Sequence, residues 1–536
     1  MALVVSTLAE CIEPGRIETT LHFLDEREEV SYSSLWRRSR CIAAWAQQVD
    51  RRCAVLLTNS NACVAFLLGA IQSGMKIVSL PLPSRGANTE WYLSLILAIC
   101  KEAQVDTVVV DASLKAELPV LDSIRFIGYD ETLSTIGTGS LEPDEFVLVQ
   151  FTSGSTSDPK GVLLPGSQIA ANIEAILDRV RPEKGDVACS WLPLSHDMGL
   201  IGMLLSGLAG TSDRWAKGGH IVLLRPESFL RNPRSWLEAC SEFRATITAS
   251  PNFALDLAVR RALPSSLDLR WLRTCIVGGE PVRQMTLEKF ALALEPLRFN
   301  EVAICPAYGL AEAALAVTMS SPRVRWSEGT SNASPFEADE SINIENPISS
   351  VSVGKPLKGY EVRIDGLPGA VGRISVRGPS VSKQYMDGSA ITDKDTQWYE
   401  TSDVGFVRDG ELHVGGRIDD VFLVRGRKLF ATDIEAAVAP VAGVRSGRSV
   451  ALMMPGNRLA LISEVKSEDV DLQTLAAAMR IAVVKQCGVS LGMVGFVDAG
   501  CLPMTSSGKF RRDHTVKELV AGTLQMREAY RRSSSM

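Results

Sequence analysis

The chain has 536 residues, 46% of them hydrophobic and 22% charged, and 56 Lys and Arg against 62 Asp and Glu leave a net charge of −6. That length holds several packed units without disulfide staples, and the mild acidity excludes a nucleic-acid or membrane-surface protein that works through a basic face. The mean hydropathy of +0.10 raises the question of a membrane span. The longest apolar run, "ACVAFLLGAI" at residues 62–71, is far short of the roughly 20 residues a bilayer demands.

The N-terminal stretch lacks a basic region and meets acidic residues early, so no export signal and a cytoplasmic location are expected. The 11 cysteines form no CxxC pair and read as buried or free thiols. His22, His196, His220, His413 and His514 are too dispersed for a local metal motif.

In chain order, residues 53–59 read as a buried strand and 62–74 as a helix ending at Gly74. Strands follow at 75–83, 105–111 and 146–154. Short Val-, Ile- and Leu-rich strands spaced by helical patterns predict parallel α/β layers. Residues 320–352 are polar and aperiodic, and predict a long surface loop or insertion. Past Gly354, "YEVRI", "GRISVRG" and "GELHVGG" alternate like antiparallel strands. Beyond Gly415 and Gly416 come "DDVFLVRG", a helix from "ATDIEAAVAP" with Thr432 as its N-cap, "LALISEV", and a helix closed by Gly488. The expected class is α/β. A large multi-layer N-terminal domain with a β-rich subdomain spans 1–415, a hinge spans 416–420, and a small mobile α/β cap spans 421–536.

The strongest local signal is "FTSGSTSDPKG" at 151–161, after the strand "FVLVQ". Its hydroxyls, glycines and Lys160 can offer backbone N–H groups, O–H donors and one ammonium to a phosphate chain. A Walker A loop is ruled out, because Lys160 precedes Gly161 and follows Pro159. Downstream stand "WLPLSHDMGLIG" (191–202), "SPNFALDL" (250–257), "VGGEPV" (277–282) and "PAYGLAEAAL" (306–315). Then come "TSDVG" (401–405), "GRIDDVFLVRGRKLFATDIE" (416–435) and "TSSGKFRR" (505–512).

This ordered set resembles the adenylate-forming superfamily of acyl-CoA synthetases, luciferase and peptide-synthetase adenylation domains. "HDMGLIG", "PNFALDL" and "GGEPV" look most like its fatty acyl-AMP ligases. The resemblance implies attack of a carboxylate on the α-phosphate of ATP, with release of pyrophosphate, and then transfer of the acyl group to a thiol. By resemblance, Thr152, Ser153, Gly154, Ser155, Thr156 and Lys160 hold the β- and γ-phosphates, and Glu312 holds Mg2+. Tyr308 and Gly309 lie against the adenine, with Gly279, Glu280 and Pro281 on its other side. Asp403 takes the ribose hydroxyls, and Arg417 reaches the ribose or α-phosphate. Lys509 bridges the acid and the α-phosphate, and Asp419 is the pivot.

Ser195, Met198, Asn252, Phe253 and Leu255 are expected around the acyl group. His196 stands near the family's reacting carboxylate, or is a histidine satisfied in the core. "TSD" replaces the family's usual "TGD", and Ser195 stands where an aromatic is common. The acceptor implied is the phosphopantetheine thiol of an acyl carrier protein in trans, whose acidic surface would meet the basic run Arg425, Arg427 and Lys428, a run that reads equally as a solvated face. A CoA ligase, or an aryl or amino-acid adenylating enzyme, shares the same first step. A non-catalytic homologue would be expected to lack Lys509 or Glu312, and both are present.

Overall fold

A computed structural model describes residues 7–82, 89–135, 139–151, 160–216, 218–331, 349–366, 369–424, 427–445, 447–465, 471–504 and 510–531. The first sheet has six strands, in the order Arg125–Gly128, Thr107–Val110, Arg52–Val55, Lys76–Ser79, Val147–Phe151, Gly161–Pro165. All neighbours run parallel except the last pair, where Phe151 lies opposite Gly161. The alternation of side chains decides what each face meets. Cys53, Val55, Ile77 and Leu148 enter the central core, whereas Ala54, Val78, Val108 and Val149 pack on Ile96 and Ile99 of the helix Thr89–Glu102.

The second sheet has nine strands. Its parallel centre is Ile304–Gly309, Thr274–Val277, Ile247–Ser250, Val187–Ser190, Gly219–Leu223 and Thr19–Phe23. Antiparallel strands flank it: Glu28–Ser31 on one side, Ala316–Met319 and Lys355–Pro356 on the other. Between the two sheets run the helices Asn61–Gln72 and Gly166–Val180. The first is apolar on every face because it is surrounded, and Ser60 caps it by accepting from the Cys63 N–H. It stops at Gln72, and Gly74 takes φ +64° to turn the chain into the next strand.

The β-rich stretch forms a four-stranded antiparallel sheet: Glu361–Ile364, Gly372–Arg377, Tyr399–Arg408, Glu411–Arg417. Within the segment expected to be a loop, Glu328–Thr330 pairs with Ser349–Val351, and residues 332–348 lie outside the described ones. Residues after Val421 build their own layer. They form a hairpin (Val421–Val424 with Arg427–Phe430) and a mixed sheet of Ser449–Met454, Arg458–Val465, Met493–Asp498 and Glu528–Arg531. The helices Ala431–Val438, Leu472–Cys487 and Arg512–Ala521 complete it.

This layer has its own cores, one around Ile434, Leu461 and Met479 and one around Val450, Ile462 and Val497. Gly488 ends the predicted helix at φ +69°. Thr432 is not the N-cap of its helix: the hairpin strand stays extended through Phe430, so the helix starts at Ala431 and Thr432 lies inside it.

Among the described residues no helix is long and apolar enough to cross a membrane, and no cluster of metal-ligating side chains occurs. All cysteines are free, and only Cys41 and Cys501 are not buried. Burial pushes the Cys11, Cys63 and Cys100 thiols up to about 12, which makes them unreactive.

Candidate active site at the strand ends

The described candidate residues gather near the carboxyl ends of the parallel strands, where open α/β sheets bind ligands. The strand Ile304–Gly309 ends in a tight loop carrying Glu312. Gly309 is required there, since a Cβ would lie 1.7 Å from the Leu315 carbonyl oxygen. The Leu310 N–H donates to that carbonyl at 2.8 Å. Ala314 sits at φ +63°, ψ −54°, and the Leu315 N–H reaches the Ala313 carbonyl at 2.8 Å, forming a strained γ-turn.

A buried polar frame holds this turn. Asn172, from the helix Gly166–Val180, donates to the Ala316 carbonyl at 2.7 Å and accepts from the Ala316 N–H at 3.0 Å. Its amide also reaches the Tyr360 hydroxyl at 2.8 Å. Tyr360 pairs with Ser380, which donates to the Ala313 carbonyl at 2.5 Å.

Glu312 is half-buried. The hydroxyls of Tyr385 and Tyr399 each donate to its Oε1 at 3.1 Å. Burial pushes its carboxyl above the usual range, the charge of Asp403 adds to this, and the two phenols pull the other way. Both phenols thus meet at Oε1 and the Glu312 backbone N–H also reaches the carboxylate, a fixed anionic group that suits a hard cation seeking a carboxylate oxygen beside phosphate oxygens.

Tyr308 is buried and donates to Asp403 Oδ2 at 2.7 Å. Asp403 is in register with Arg417 on the neighbouring strand, and Arg417 Nε lies 3.8 Å from Asp403 Oδ1. The other end of the Arg417 guanidinium lies 3.8 Å from Asp419 Oδ2, in a short turn at Ile418–Asp420. The structure therefore brings Tyr308, Glu312, Asp403, Arg417 and Asp419 into one neighbourhood.

Thr152, Ser153, Gly154, Ser155 and Thr156 lie outside the described residues, as does Lys509. The rims of their loop are described. The loop joins two antiparallel strands, unlike the strand-to-helix P-loop, and Lys160 Nζ lies over the Tyr385 ring, 5.1 Å from its centre. Gln150, just before the loop, donates to the Ser195 carbonyl at 3.0 Å and so ties it to the "SHDMG" segment.

That segment is pinned from below by buried Asn59, which donates to the Leu192 and Leu224 carbonyls and accepts from the Leu194 N–H. His196 Nδ1 lies 2.6 Å from Asp197 Oδ1, and its side chain is partly exposed, so it is not enclosed in the core. Met198 opens a π-helix, Met198–Leu205, an irregularity frequent at functional sites.

On the opposite wall the helix Asn252–Ala258 is locked to the "GGEPV" loop. The Phe253 N–H donates to Glu280 at 2.5 Å, and Asn252 accepts from the Arg283 N–H at 3.0 Å. Glu280 and Asn252 thus join two segments, while Gly279 (φ +80°) and Pro281 are exposed. Phe253 is half-buried, and Leu255 is fully enclosed in the central core.

Tyr385, Tyr399, Asn172 and Asn59 were not singled out from sequence. Tyr399, Thr401 and Asp403 alternate along one strand, and Asn172 interrupts an apolar helix face; these were the available signals.

Near the ends of the parallel strands the fold thus sets a phenol-bound aspartate, a half-buried glutamate and a lysine at a loop's end, groups whose chemistry suits a nucleotide and its cation. The family model of AMP-binding enzymes matches residues 13–386, and the chain belongs to that family as an adenylate-forming enzyme. The medium-chain-fatty-acid–[acyl-carrier-protein] ligase JamA of Moorena producens is 31% identical, over 94% of this chain and 92% of its own. The 4-hydroxyphenylalkanoate adenylyltransferase of Mycobacterium tuberculosis is 28% identical, over 91% of this chain and 86% of its own. A fatty acyl-adenylate ligase from L. pneumophila, solved with acyl adenylate and pyrophosphate, matches with a TM-score of 0.69. It is 27% identical and covers 98% of each chain.

Proposed function

We propose that this adenylate-forming enzyme activates a carboxylic acid with a long apolar tail and delivers the acyl group to the phosphopantetheine thiol of a carrier protein. The observation that supports the tail is the apolar lining of a narrow crevice, open to solvent, along the helix that Met198 opens. It begins beside Gly202, four residues past Met198, and follows the helix to Gly210. Ile176, Leu177, Met203, Ile221, Ile247 and Ile276 line it. Burying an apolar chain there gains about 0.8 kcal/mol per methylene.

In this reading Tyr308 and Gly309 flank the adenine opposite Gly279, Glu280 and Pro281, and Asp403 accepts from the ribose hydroxyls, assisted by Arg417. Thr152, Ser153, Gly154, Ser155, Thr156 and Lys160 hold the outer phosphates. Glu312 holds Mg2+, which when bound neutralises charge on phosphate oxygens. Lys509 places its ammonium between the acid and the α-phosphate, where negative charge builds in the transition state. A lysine suits this task because a compact charge on a flexible stem can arrive and withdraw. Residues 1–415 form the body, 416–420 the hinge around Asp419, and 421–536 the cap. A cytoplasmic setting, where ATP and carrier proteins meet, accompanies the proposal.

ATP–pyrophosphate exchange over a panel of acids tests it, followed by discharge of the adenylate with holo-carrier or CoA. Exchange with medium- and long-chain acids and discharge by the carrier are expected. Exchange confined to aryl acids, or discharge by CoA alone, overturns the substrate or the acceptor.

A further inference from the structure

Two phenols converge on Glu312 from different parts of the fold. Tyr399 opens the strand Tyr399–Arg408, and Tyr385 lies in the turn after Ser382. Ser382 itself is fixed to the Glu312 loop, its N–H donating to the Glu312 carbonyl at 2.7 Å. Both hydroxyls donate to the same oxygen, Oε1, each at 3.1 Å. Two donors on one oxygen stop a carboxylate from rotating and leave the other oxygen free of those donors.

Tyr385 has a second contact, because its ring face carries the Lys160 ammonium at 5.1 Å. Its backbone is anchored to the same strand: Tyr385 bridges Val162, and the Met386 N–H donates to the Gly161 carbonyl at 2.7 Å. One side chain therefore touches both the lysine at the loop's end and the carboxylate assigned to the cation.

We propose that Tyr385 and Tyr399 are positioning residues that aim Glu312 Oε2 at the cation, and that Tyr385 also sets the spacing between Glu312 and Lys160. This rests on the cation-holding role proposed for Glu312. Neither phenol is required to touch substrate, so their effect is read on metal binding before any turnover.

The test is Mn2+ binding to the ATP-loaded enzyme, followed by electron paramagnetic resonance. The proteins are wild type, Tyr385→Phe, Tyr399→Phe, the double phenylalanine variant, Tyr385→Leu and Glu312→Gln. Loss of an outer partner of a metal ligand typically costs about 10–100-fold in metal affinity. A loss toward the low end of that range is expected for each phenylalanine variant, and a larger one for the pair. ATP binding in EDTA should weaken in Tyr385→Leu, which removes the seat of Lys160, but not in Tyr385→Phe, which keeps the ring.

Wild-type Mn2+ affinity in the phenylalanine variants, with affinity lost in Glu312→Gln, overturns the positioning role. Wild-type affinity in Glu312→Gln overturns the assignment of Glu312 itself. Should the double variant fail to fold, the two single variants decide the matter.

Discussion

The surroundings of Glu312 and the junction at Gly416 are built in opposite ways. Around Glu312, a helix, a γ-turn and two strands are joined by hydrogen bonds from Asn172, Tyr360, Ser380, Ser382, Tyr385 and Tyr399. At the junction, a small apolar cluster sets Phe430 against Val371, Val404 and Phe406. Beyond it the chain packs chiefly on itself, and Arg512 pairs with Glu435 of the same layer and with Asp420 in the junction. Groups that stabilise charge must be fixed before the reaction, whereas a group that serves one half-reaction must be free to leave. In the proposed function the hydrogen-bonded frame would meet the first requirement and the small apolar junction the second.

The largest expected effect concerns the cap proposed to carry Lys509. Lys509→Ala should lower adenylate formation by about 10²–10³-fold, the loss typical for one transition-state donor, with ATP affinity retained. Pyrophosphate exchange and equilibrium ATP binding measure the two quantities separately. On the rigid side, Asn172→Leu leaves the Ala316 N–H and carbonyl unsatisfied in a buried setting. It should cost about 2–4 kcal/mol of stability by denaturant unfolding, and weaken adenylation with it.

Gly416→Val breaks the comparison at the junction. A Cβ there would come within 2.5 Å of the Phe430 ring, so the seat of the cap must shift. The ratio of adenylation to thiol-transfer rates should change by about tenfold, as hinge changes affect the two poses unequally. Single-turnover rates of each half-reaction measure it.

The smallest effect is a pH dependence of stability. His413 is buried, stacked on Phe406 at 4.7 Å, with Nδ1 2.9 Å from the Ser350 carbonyl oxygen. Burial holds it below the usual histidine value. Its neutral form is favoured in the folded state. The stability it contributes is therefore present above the ordinary histidine range and lost as pH falls through its lowered value. Thermal unfolding from pH 7.5 to 5 should show a decline that His413→Gln flattens.

Much of this was legible in the sequence, for physical reasons. The strands at 53–55, 76–79 and 107–110 announce themselves because a strand buried on both faces must be apolar throughout. Gly488 is legible because glycine takes the left-handed turn that ends a helix at the least cost. Glu312, Asp403 and Lys160 stood out because their motifs carry chemistry.

Tyr385 escaped notice because its meaning depends on which carboxylate the fold sets opposite it, and no local pattern encodes that. Thr432 misled because a strand running directly into a helix leaves no room for a separate cap. The carboxylate of Glu280, a residue expected beside the base, also accepts a backbone N–H from the neighbouring helix, a partner that only tertiary packing supplies.

The central claim is the activation of an apolar-tailed acid as an adenylate. It is tested most directly by incubating the enzyme with ATP labelled at the α-phosphate and dodecanoic acid, without any thiol, and separating the products. An enzyme-bound acyl-AMP is expected, formed with one equivalent of pyrophosphate and discharged on addition of holo-carrier protein. Labelled AMP or ADP without acyl-AMP, for dodecanoate and for every other acid in the panel, would contradict it.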